Sequence, residues 1–280
     1  LVLKDAVHYS VAEGEPVRLV QLTDPHLFAD PEGQLLGVNT TQSLQAVLNT
    51  FMASQYPANL LLATGDISQD YSPESYQHFV NKVQALNLPC HYLPGNHDDP
   101  RLMAVRMQGE HVFGQQLIVI GKWIILMLDS TVLGKPGGYM GEKQFALIDA
   151  AIKAYPDKHA LLVMHHNPIL MDCAWLDQHC MMNGSDFLAR TSRYPQVKGV
   201  LWGHVHQQVD KLHIGPHGEI PLMATPSTCI QFKPLSSYFA LDQLQPGYRL
   251  LELAGDGSIR TNVYRVPGNR FSPDNEASGY

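Results

Sequence analysis

Residues 17–26 read VRLVQLTDPH, an apolar run that ends in an aspartate and a histidine two positions apart. Residues 60–66 (LLLATGD) and 92–98 (YLPGNHD) again place polar residues directly after an apolar run. The runs at 17–22 and 60–63 predict buried strands, and the apolar spacing over residues 40–55 predicts a helix between them. Because α/β sheets place their ligands at the carboxyl ends of strands, we expect the polar residues to be functional.

The alternation of strands and helices continues to about residue 209. Ser72 followed by Pro73 predicts a helix start, since serine is a common N-cap and proline suits the first helical position. Further strands are predicted at residues 90–93, 117–121, 123–128, 160–164 and 200–202, and further helices at 100–107, 142–155 and 185–193. Beyond residue 209, short strands and turn signals predominate. We expect one α/β domain over residues 1–280, with two packed sheets flanked by helices and the strands at about 209–266 completing the second sheet.

Composition excludes several classes of protein. Apolar residues make up 45% of the chain, but no apolar run reaches the ~18 residues that span a bilayer. The four cysteines form no CxxC pair, which argues against a disulfide framework or a thiolate zinc site. The net charge of −7, without a basic run, argues against a polynucleotide partner. Residues 1–15 lack the apolar segment of a secretory signal, so we expect a cytoplasmic protein if the chain begins there.

Histidine, aspartate and asparagine follow five of the predicted strands, and their side chains would converge on one rim. These residues are Asp24, His26, Asp66, Asn96, His97, His165, His204 and His206. Mixed carboxylate and imidazole ligands suit manganese, iron or zinc better than magnesium or calcium. The D-x-H and H-x-H spacings would point alternate side chains of an extended segment the same way. Asp66 is the candidate to bridge two cations, which could clamp the attacking and leaving oxygens of a displacement.

In this order the motifs resemble the signature of the calcineurin-like metallophosphoesterases: D-x-H, G-D, G-N-H-D/E, H and G-H-x-H. More narrowly, the chain resembles the bacterial class III 3′,5′-cyclic AMP phosphodiesterases. The segments that carry this resemblance are QLTDPHLF, LLGVNT, ATGDISQD, YLPGNHD, WLDQHC, GHVHQ, ATPSTCIQFKP and the closing ASGY. The fold that the resemblance implies is a two-sheet β-sandwich with helices outside, four layers in the order α-β-β-α.

The resemblance also implies roles for the site residues. Asp24, His26 and His206 would hold one metal, often iron, and Asn96, His165 and His204 the other, often manganese, with zinc possible and Asp66 shared. A hydroxide bridging the metals would attack the phosphorus of 3′,5′-cyclic AMP in line. Asn96 would stabilise the phosphoryl charge and His97 would protonate the leaving 3′-oxygen, which gives 5′-AMP. The residues expected to contact the substrate are Asn96, His97, His26, Asp66 and His206.

Three further features concern the surroundings of this site. His165 directly follows its strand and is the expected ligand, whereas alternation would point His166 the opposite way. Gln69 stands where many superfamily members carry an acidic residue or asparagine, and it is not expected to be a ligand. Residues 167–183, with Trp175, could wall the substrate side or form a packed surface loop.

Two other functions remain open at this point. The same metals could serve another phosphodiesterase or a phosphomonoesterase that acts on a linear diester or a nucleotide. The chain could also be an inactive metal-binding scaffold, although all eight site residues are present. The sequence does not indicate an oligomeric state.

Overall fold

The computed structural model describes residues 5–274, 276, 277 and 279, so predictions that rest on residues 1–4, Ser278 and Tyr280 lie outside the described residues. The helices are α1 (Thr40–Ala53), α2 (Pro73–Val83), α3 (Pro100–Arg106), α4 (Glu142–Ala154) and α5 (Gly184–Thr191). The strands are β1 (Val7–Tyr9), β2 (Val17–Leu22), β3 (Gln34–Leu35), β4 (Val38–Asn39), β5 (Leu60–Ala63), β6 (Cys90–Tyr92), β7 (Val112–Phe113), β8 (Leu117–Ile120), β9 (Trp123–Met127), β10 (His159–Val163), β11 (Val197–Trp202), β12 (Val209–Gly215), β13 (Gly218–Ala224), β14 (Gln231–Phe232), β15 (Leu241–Asp242), β16 (Gly247–Leu253) and β17 (Ile259–Arg265).

Two large sheets form the centre of the molecule. One has the strand order β17-β16-β2-β5-β6-β7, and the other has the order β1-β8-β9-β10-β11-β13-β12. Within them β2, β5 and β6 run parallel to one another, as do β9, β10 and β11. Parallel neighbours place their carboxyl ends at the same edge, so the loops that carry the predicted site residues leave each sheet together.

Side chains alternate between a core shared by the two sheets and cores under the helices. In β2, Leu19 lies in the shared core, whereas Val20 packs with the residues of α1 and α2. In β10, Leu161 lies in the shared core and Leu162 packs towards α4 and α5. This period of two is what strands buried on both faces require, and it confirms the predicted arrangement of two sheets between helices.

Local sequence explains where the helices begin. The Ser72 side chain accepts a hydrogen bond from the Ser75 backbone N–H, and Pro73 occupies the first turn of α2, as predicted. Helix α1 ends at Ala53, two residues before the predicted end. Its buried residues include Leu44 and Phe51, whereas Met52 is 47% exposed. At 100° per residue, Met52 lies at the margin of the stripe centred on Leu44 and Phe51.

The expectation that the strands at about 209–266 complete a single sheet is wrong, because they join both large sheets and β14 and β15 pair with each other in a small sheet of their own. The hairpin of β12 and β13 joins the seven-stranded sheet beside β11, whereas β16 and β17 join the six-stranded sheet beside β2. Turns at residues 216–217 and 255–257 join the strands of these two hairpins. Residues 1–280 as a single domain stays a prediction. In the described part of the chain, no helix has both the length and the apolar character to cross a bilayer.

Candidate metal centre

Residues from five loops meet where the carboxyl ends of the two sheets face each other. Three groups have ligand atoms that all lie within 4.8 Å of one another. They are Asp24 with His26 and His206, Asp24 with Asp66 and His165, and His165 with His166 and His204. All of these side chains are buried. The structure therefore brings together six of the seven predicted metal ligands, and the seventh, Asn96, is placed below by its hydrogen bond.

The backbone at this rim is left-handed rather than extended. Asp24 and His26 have φ values of 53° and 48°, and Asp66, His204 and His206 have 52°, 65° and 48°. The expectation that D-x-H and H-x-H would converge through strand alternation is therefore wrong. Five of the seven predicted ligands thus occupy a conformation that costs a non-glycine residue about 1–2 kcal/mol. Such outliers persist where surrounding structure holds them, and they cluster at functional sites.

His26 and His206 face each other through their Nε2 atoms, which are 3.1 Å apart. The Nδ1–H of His26 donates to Gln69 Oε1 at 2.6 Å, and the Nδ1–H of His206 donates to the Ile230 carbonyl at 2.9 Å. Each ring therefore presents a lone pair at Nε2, and two acceptors at this distance repel. Asp24 Oδ1 lies 3.1 Å from His206 Nε2 and is buried without a hydrogen-bond partner. A cation among the three atoms would convert this repulsion into coordination.

The second group is oriented in the same manner. The Nδ1–H of His165 donates to the Thr64 carbonyl at 2.7 Å, which leaves its Nε2 at 3.1 Å from Asn96 Oδ1 and 3.3 Å from Asp66 Oδ2. The Nε2–H of His204 donates to the His179 carbonyl at 3.1 Å, so Nδ1 is the lone pair of that ring. Metal-binding histidines usually give their other N–H to such an oxygen, which fixes the ring. The donor set fits a divalent transition metal.

Asp66 lies between the two groups. Its Oδ2 is 3.7 Å from His26 Nε2 and 3.3 Å from His165 Nε2, and its Oδ1 accepts a hydrogen bond from the His97 backbone N–H at 2.8 Å. One carboxylate thus touches both groups, which is the position that a ligand shared by two cations must occupy.

Charge within the site follows from this geometry. Burial lowers the pKa of His165, but the Asp66 carboxylate outweighs burial and raises the pKa to about 9. Burial raises the pKa of Asp66, but His165 and neighbouring histidines bring it well below its usual range. Burial lowers the pKa of His26 to about 3 and that of His204 well below its usual value. Without metal, the site therefore holds an Asp66–His165 ion pair beside the neutral rings of His26 and His204.

His166 differs from its neighbour although both side chains are fully buried. Its Nε2–H donates to the Pro136 carbonyl at 3.2 Å, and its Nδ1 accepts from the Ser130 hydroxyl at 2.8 Å. Burial lowers its pKa to about 3, so the ring is neutral. Both ring nitrogens are engaged by the segment that follows β9, which supports His165 rather than His166 as the ligand.

Two residues around the ligands have functions that the sequence reasoning did not assign. Gln69 lies outside the ligand groups, yet its side-chain oxygen orients His26. The buried Asp98 carboxylate accepts backbone hydrogen bonds from Gly95, Ile67 and Ser68, and so ties the loop of Asn96 to the loop of Asp66. Burial and the nearby Asp66 raise the pKa of Asp98 to about 7, although the backbone donors act against them. Asp98 is the last residue of the G-N-H-D motif, and this position was the sequence signal that could have identified it.

Asn96 and His97 are partly exposed, and two clefts meet at them. A cleft of about 340 Å³ includes Asp66, His204, Trp175, Phe232 and Phe239 in its lining, and we name it the aromatic cleft. A cleft of about 470 Å³ is lined by Tyr71 and residues 95–100 and 131–136, and we name it the loop cleft. The His97 ring also packs edge-on against His26, with centroids 5.1 Å apart. Residues 167–183 were expected either to wall the substrate side or to form a packed surface loop. The structure favours the wall, because Trp175 and His179 line the aromatic cleft.

Comparison with known proteins agrees with this geometry. The calcineurin-like phosphoesterase family profile matches residues 17–208. The chain is similar to proteins named 3′,5′-cyclic adenosine monophosphate phosphodiesterase CpdA: 44% identical to that of Vibrio vulnificus and 43% to that of Escherichia coli K12, over 94% of this chain and 95% of each relative. The CpdA of Pseudomonas aeruginosa is 38% identical over the same shares.

Solved structures share the fold at low sequence identity. A dimetal phosphatase from Danio rerio superposes with a TM-score of 0.59 at 14% identity, covering 90% of this chain and 99% of that one. A purple acid phosphatase from yellow lupin gives a TM-score of 0.61 at 13% identity, with 93% and 53% covered. These likenesses concern the fold alone.

Proposed function

The chain belongs to the calcineurin-like phosphoesterase family, and we propose that it hydrolyses 3′,5′-cyclic AMP to 5′-AMP with the help of two divalent metal ions. The observation that carries this proposal is the pair of His26 and His206 Nε2 atoms facing each other beside an unpartnered carboxylate oxygen of Asp24. Substrate identity is supported by the near full-length similarity to proteins named cyclic AMP phosphodiesterases.

The proposed ligand sets follow the two groups of side chains. Asp24, His26 and His206 would hold one cation, and Asn96, His165 and His204 the other, with Asp66 shared. Iron and manganese are the proposed metals, and the donor set also allows zinc. When bound, such ions supply Lewis acidity and a water of lowered pKa as the nucleophile.

The chain's own groups would complete the reaction. Asn96 and His97 line both clefts, so a phosphate over the ligand groups would lie within their reach. The Asn96 amide would stabilise charge on the phosphoryl oxygens, and the His97 ring would give a proton to the leaving 3′-oxygen. His26, Asp66 and His206 would form the substrate-facing floor. Because the chain has a net charge of −7, we propose a small anionic substrate rather than a polynucleotide. We also propose a cytoplasmic location.

The test uses metal-stripped protein reloaded with Mn²⁺ or Fe²⁺. It would be offered 3′,5′-cyclic AMP, 2′,3′-cyclic AMP, bis(p-nitrophenyl) phosphate and 5′-AMP, and the products would be separated by chromatography. We expect metal-dependent formation of 5′-AMP from 3′,5′-cyclic AMP, faster than turnover of the others. Turnover of the synthetic diester or of 5′-AMP without 3′,5′-cyclic AMP would reject the substrate and keep the metal chemistry. No metal-dependent turnover at all would reject the enzyme.

A further inference from the structure

Three aromatic rings from two distant segments form one wall of the aromatic cleft. Trp175 packs edge-to-face against Phe232 and Phe239, with ring centroids 4.9 Å and 5.0 Å apart. Phe232 also stacks on the ligand candidate His206, with centroids 4.2 Å apart and planes within 6°. Phe232 is buried, whereas Trp175 and Phe239 are half-buried and present ring surface to the cleft.

The same cleft is also lined by residues of the proposed reaction centre. Asp66 and His204 line it together with Asn96 and His97. A phosphate held over the ligand groups would therefore have the aromatic wall within the same cavity. The volume of about 340 Å³ lies at the lower end of the ~300–1,000 Å³ typical of small-molecule sites.

The aromatic wall is tied to the metal centre by hydrogen bonds. The carbonyl of His179, four residues after Trp175, accepts from the Nε2–H of His204 at 3.1 Å. The Asp177 carboxylate accepts from the backbone N–H groups of Met171 and Cys173 at 2.7 Å and 3.0 Å, which fixes the loop around Trp175. A wall held in this way is preorganised, so ligand binding costs less conformational entropy than it would if the loop had to become ordered.

The loop cleft offers a different surface. Apart from His97, which also lines the aromatic cleft, Tyr71 is the one aromatic residue among the described residues that line it, and Leu133 in its lining is 97% exposed. Of the predicted ligands only Asn96 lines it. A flat base attached to a phosphate at the centre would thus meet aromatic rings on one side and a solvated loop on the other.

We infer that the aromatic cleft holds the base of the nucleotide, with Trp175 and Phe239 as specificity-determining residues, an inference that rests on the proposed function. Bases stack on aromatic side chains because every base has a flat π-surface. The wall should therefore bind a ligand that carries a base more tightly than one that lacks it. The wall therefore distinguishes a nucleotide from a simple cyclic diester, whereas the metal centre acts on both.

The kinetic test compares two cyclic diesters. One is 3′,5′-cyclic AMP, and the other is the six-membered cyclic phosphate of 1,3-propanediol, which lacks ribose and base and is followed by ³¹P NMR. We expect Trp175→Ala and Phe239→Ala to raise the KM for cyclic AMP about tenfold, as for loss of one base stack. For the propanediol diester, kcat/KM should change less than twofold. Trp175→Phe keeps an aromatic ring, so its KM for cyclic AMP should be closer to the wild-type value than to that of Trp175→Ala.

Matched controls come from neighbouring positions. Tyr238 precedes Phe239 and is 82% exposed, and Tyr71 lies in the loop cleft, so Tyr238→Ala and Tyr71→Ala should leave the KM for cyclic AMP within twofold. Equal losses for both diesters in the Trp175 and Phe239 variants would overturn the inference, because they would indicate damage to the metal centre. A raised KM in Tyr71→Ala alone would place the base in the loop cleft and also overturn it.

Fluorescence gives a binding measurement that needs no turnover. Trp123 and Trp202 are fully buried, so Trp175 is the tryptophan that a base in the cleft can quench. We expect 5′-AMP to quench the wild-type protein and not Trp175→Phe. Quenching that persists in Trp175→Phe would refute the inference. Absence of cyclic AMP hydrolysis by wild-type protein would reject the proposed function, and quenching by 5′-AMP would still decide whether the cleft binds a base.

Discussion

The variants His165→Ala and His166→Ala differ by one position, and we expect them to affect different properties of the protein. Both side chains are fully buried and their ring centroids are 4.9 Å apart. His165 turns Nε2 towards Asp66, whereas His166 gives both ring nitrogens to the segment after β9. Loss of the first ring should therefore remove a metal ligand, and loss of the second should remove structural hydrogen bonds.

The expected magnitudes follow from the contacts. His166→Ala removes hydrogen bonds of 2.8 Å and 3.2 Å, each worth about 1 kcal/mol net, and leaves a cavity, so the free energy of unfolding should fall by about 3 kcal/mol. For a domain of this size that lowers the Tm by about 6–12 °C. Because loss of an outer partner alone costs about 10–100-fold in metal affinity, His165→Ala should lose more and bind about one metal per chain.

Elemental analysis after dialysis, with thermal unfolding monitored by circular dichroism, measures both properties on the same samples. His166→Gln, whose amide can still reach Ser130 and the Pro136 carbonyl, is the control if His166→Ala is too unstable to purify. We expect His166→Ala or His166→Gln to retain about two metals per chain. Loss of a metal from His166→Gln, together with full metal content in His165→Ala, would refute the assignment.

Three further predictions concern other residues. His97→Ala should lower kcat by about 10²–10⁴-fold with unchanged metal content, because its ring is outside the ligand groups; loss of metal would make His97 a ligand. Gln69→Leu should weaken metal binding about 10–100-fold by releasing His26, and competitive chelator titration showing wild-type affinity would contradict this. Burial lowers the pKa of His91 to about 4, so it stays neutral when folded but takes up a proton below about pH 6.5 when unfolded. The stability that the neutral His91 contributes is therefore present above pH 6.5 and lost towards pH 4. In metal-free protein, His91→Leu should reduce the dependence of the unfolding free energy on pH in this range by up to about 1.4 kcal/mol per pH unit. Urea unfolding at several pH values measures this, and the same pH dependence in wild type and variant would contradict the prediction.

Helix starts and buried strands could be read from local patterns. Leu60–Ala63 is a strand with the predicted bounds, and Ser72 caps α2 as its neighbour Pro73 suggested. The ends of elements are not fixed locally, as the end of α1 at Ala53 shows, because terminal turns depend on contacts that the chain makes elsewhere. The pairing of strands beyond Val209 with both sheets is likewise a matter of long-range packing.

The aromatic cleft had no local signal. Phe232 and Phe239 stand in a segment whose apolar residues are as typical of a core as of a binding site. Only when β14 and β15 bring these rings against Trp175, and Phe232 against His206, does the segment become part of the centre. The same holds for Gln69, whose contact with His26 exists because β2 and β5 are neighbours in the sheet.

The side chains that end the strands, and their order, can be read from the sequence, and these residue types indicate a centre for divalent metal ions. That information is local, because ligand type and strand-end position are properties of short segments. Tertiary structure decided which nitrogen of each histidine faces the centre, through the Thr64, His179 and Ile230 carbonyls. It also imposed the left-handed backbone at five ligands, among them Asp24 and His26, since both properties depend on hydrogen bonds between segments far apart in the chain.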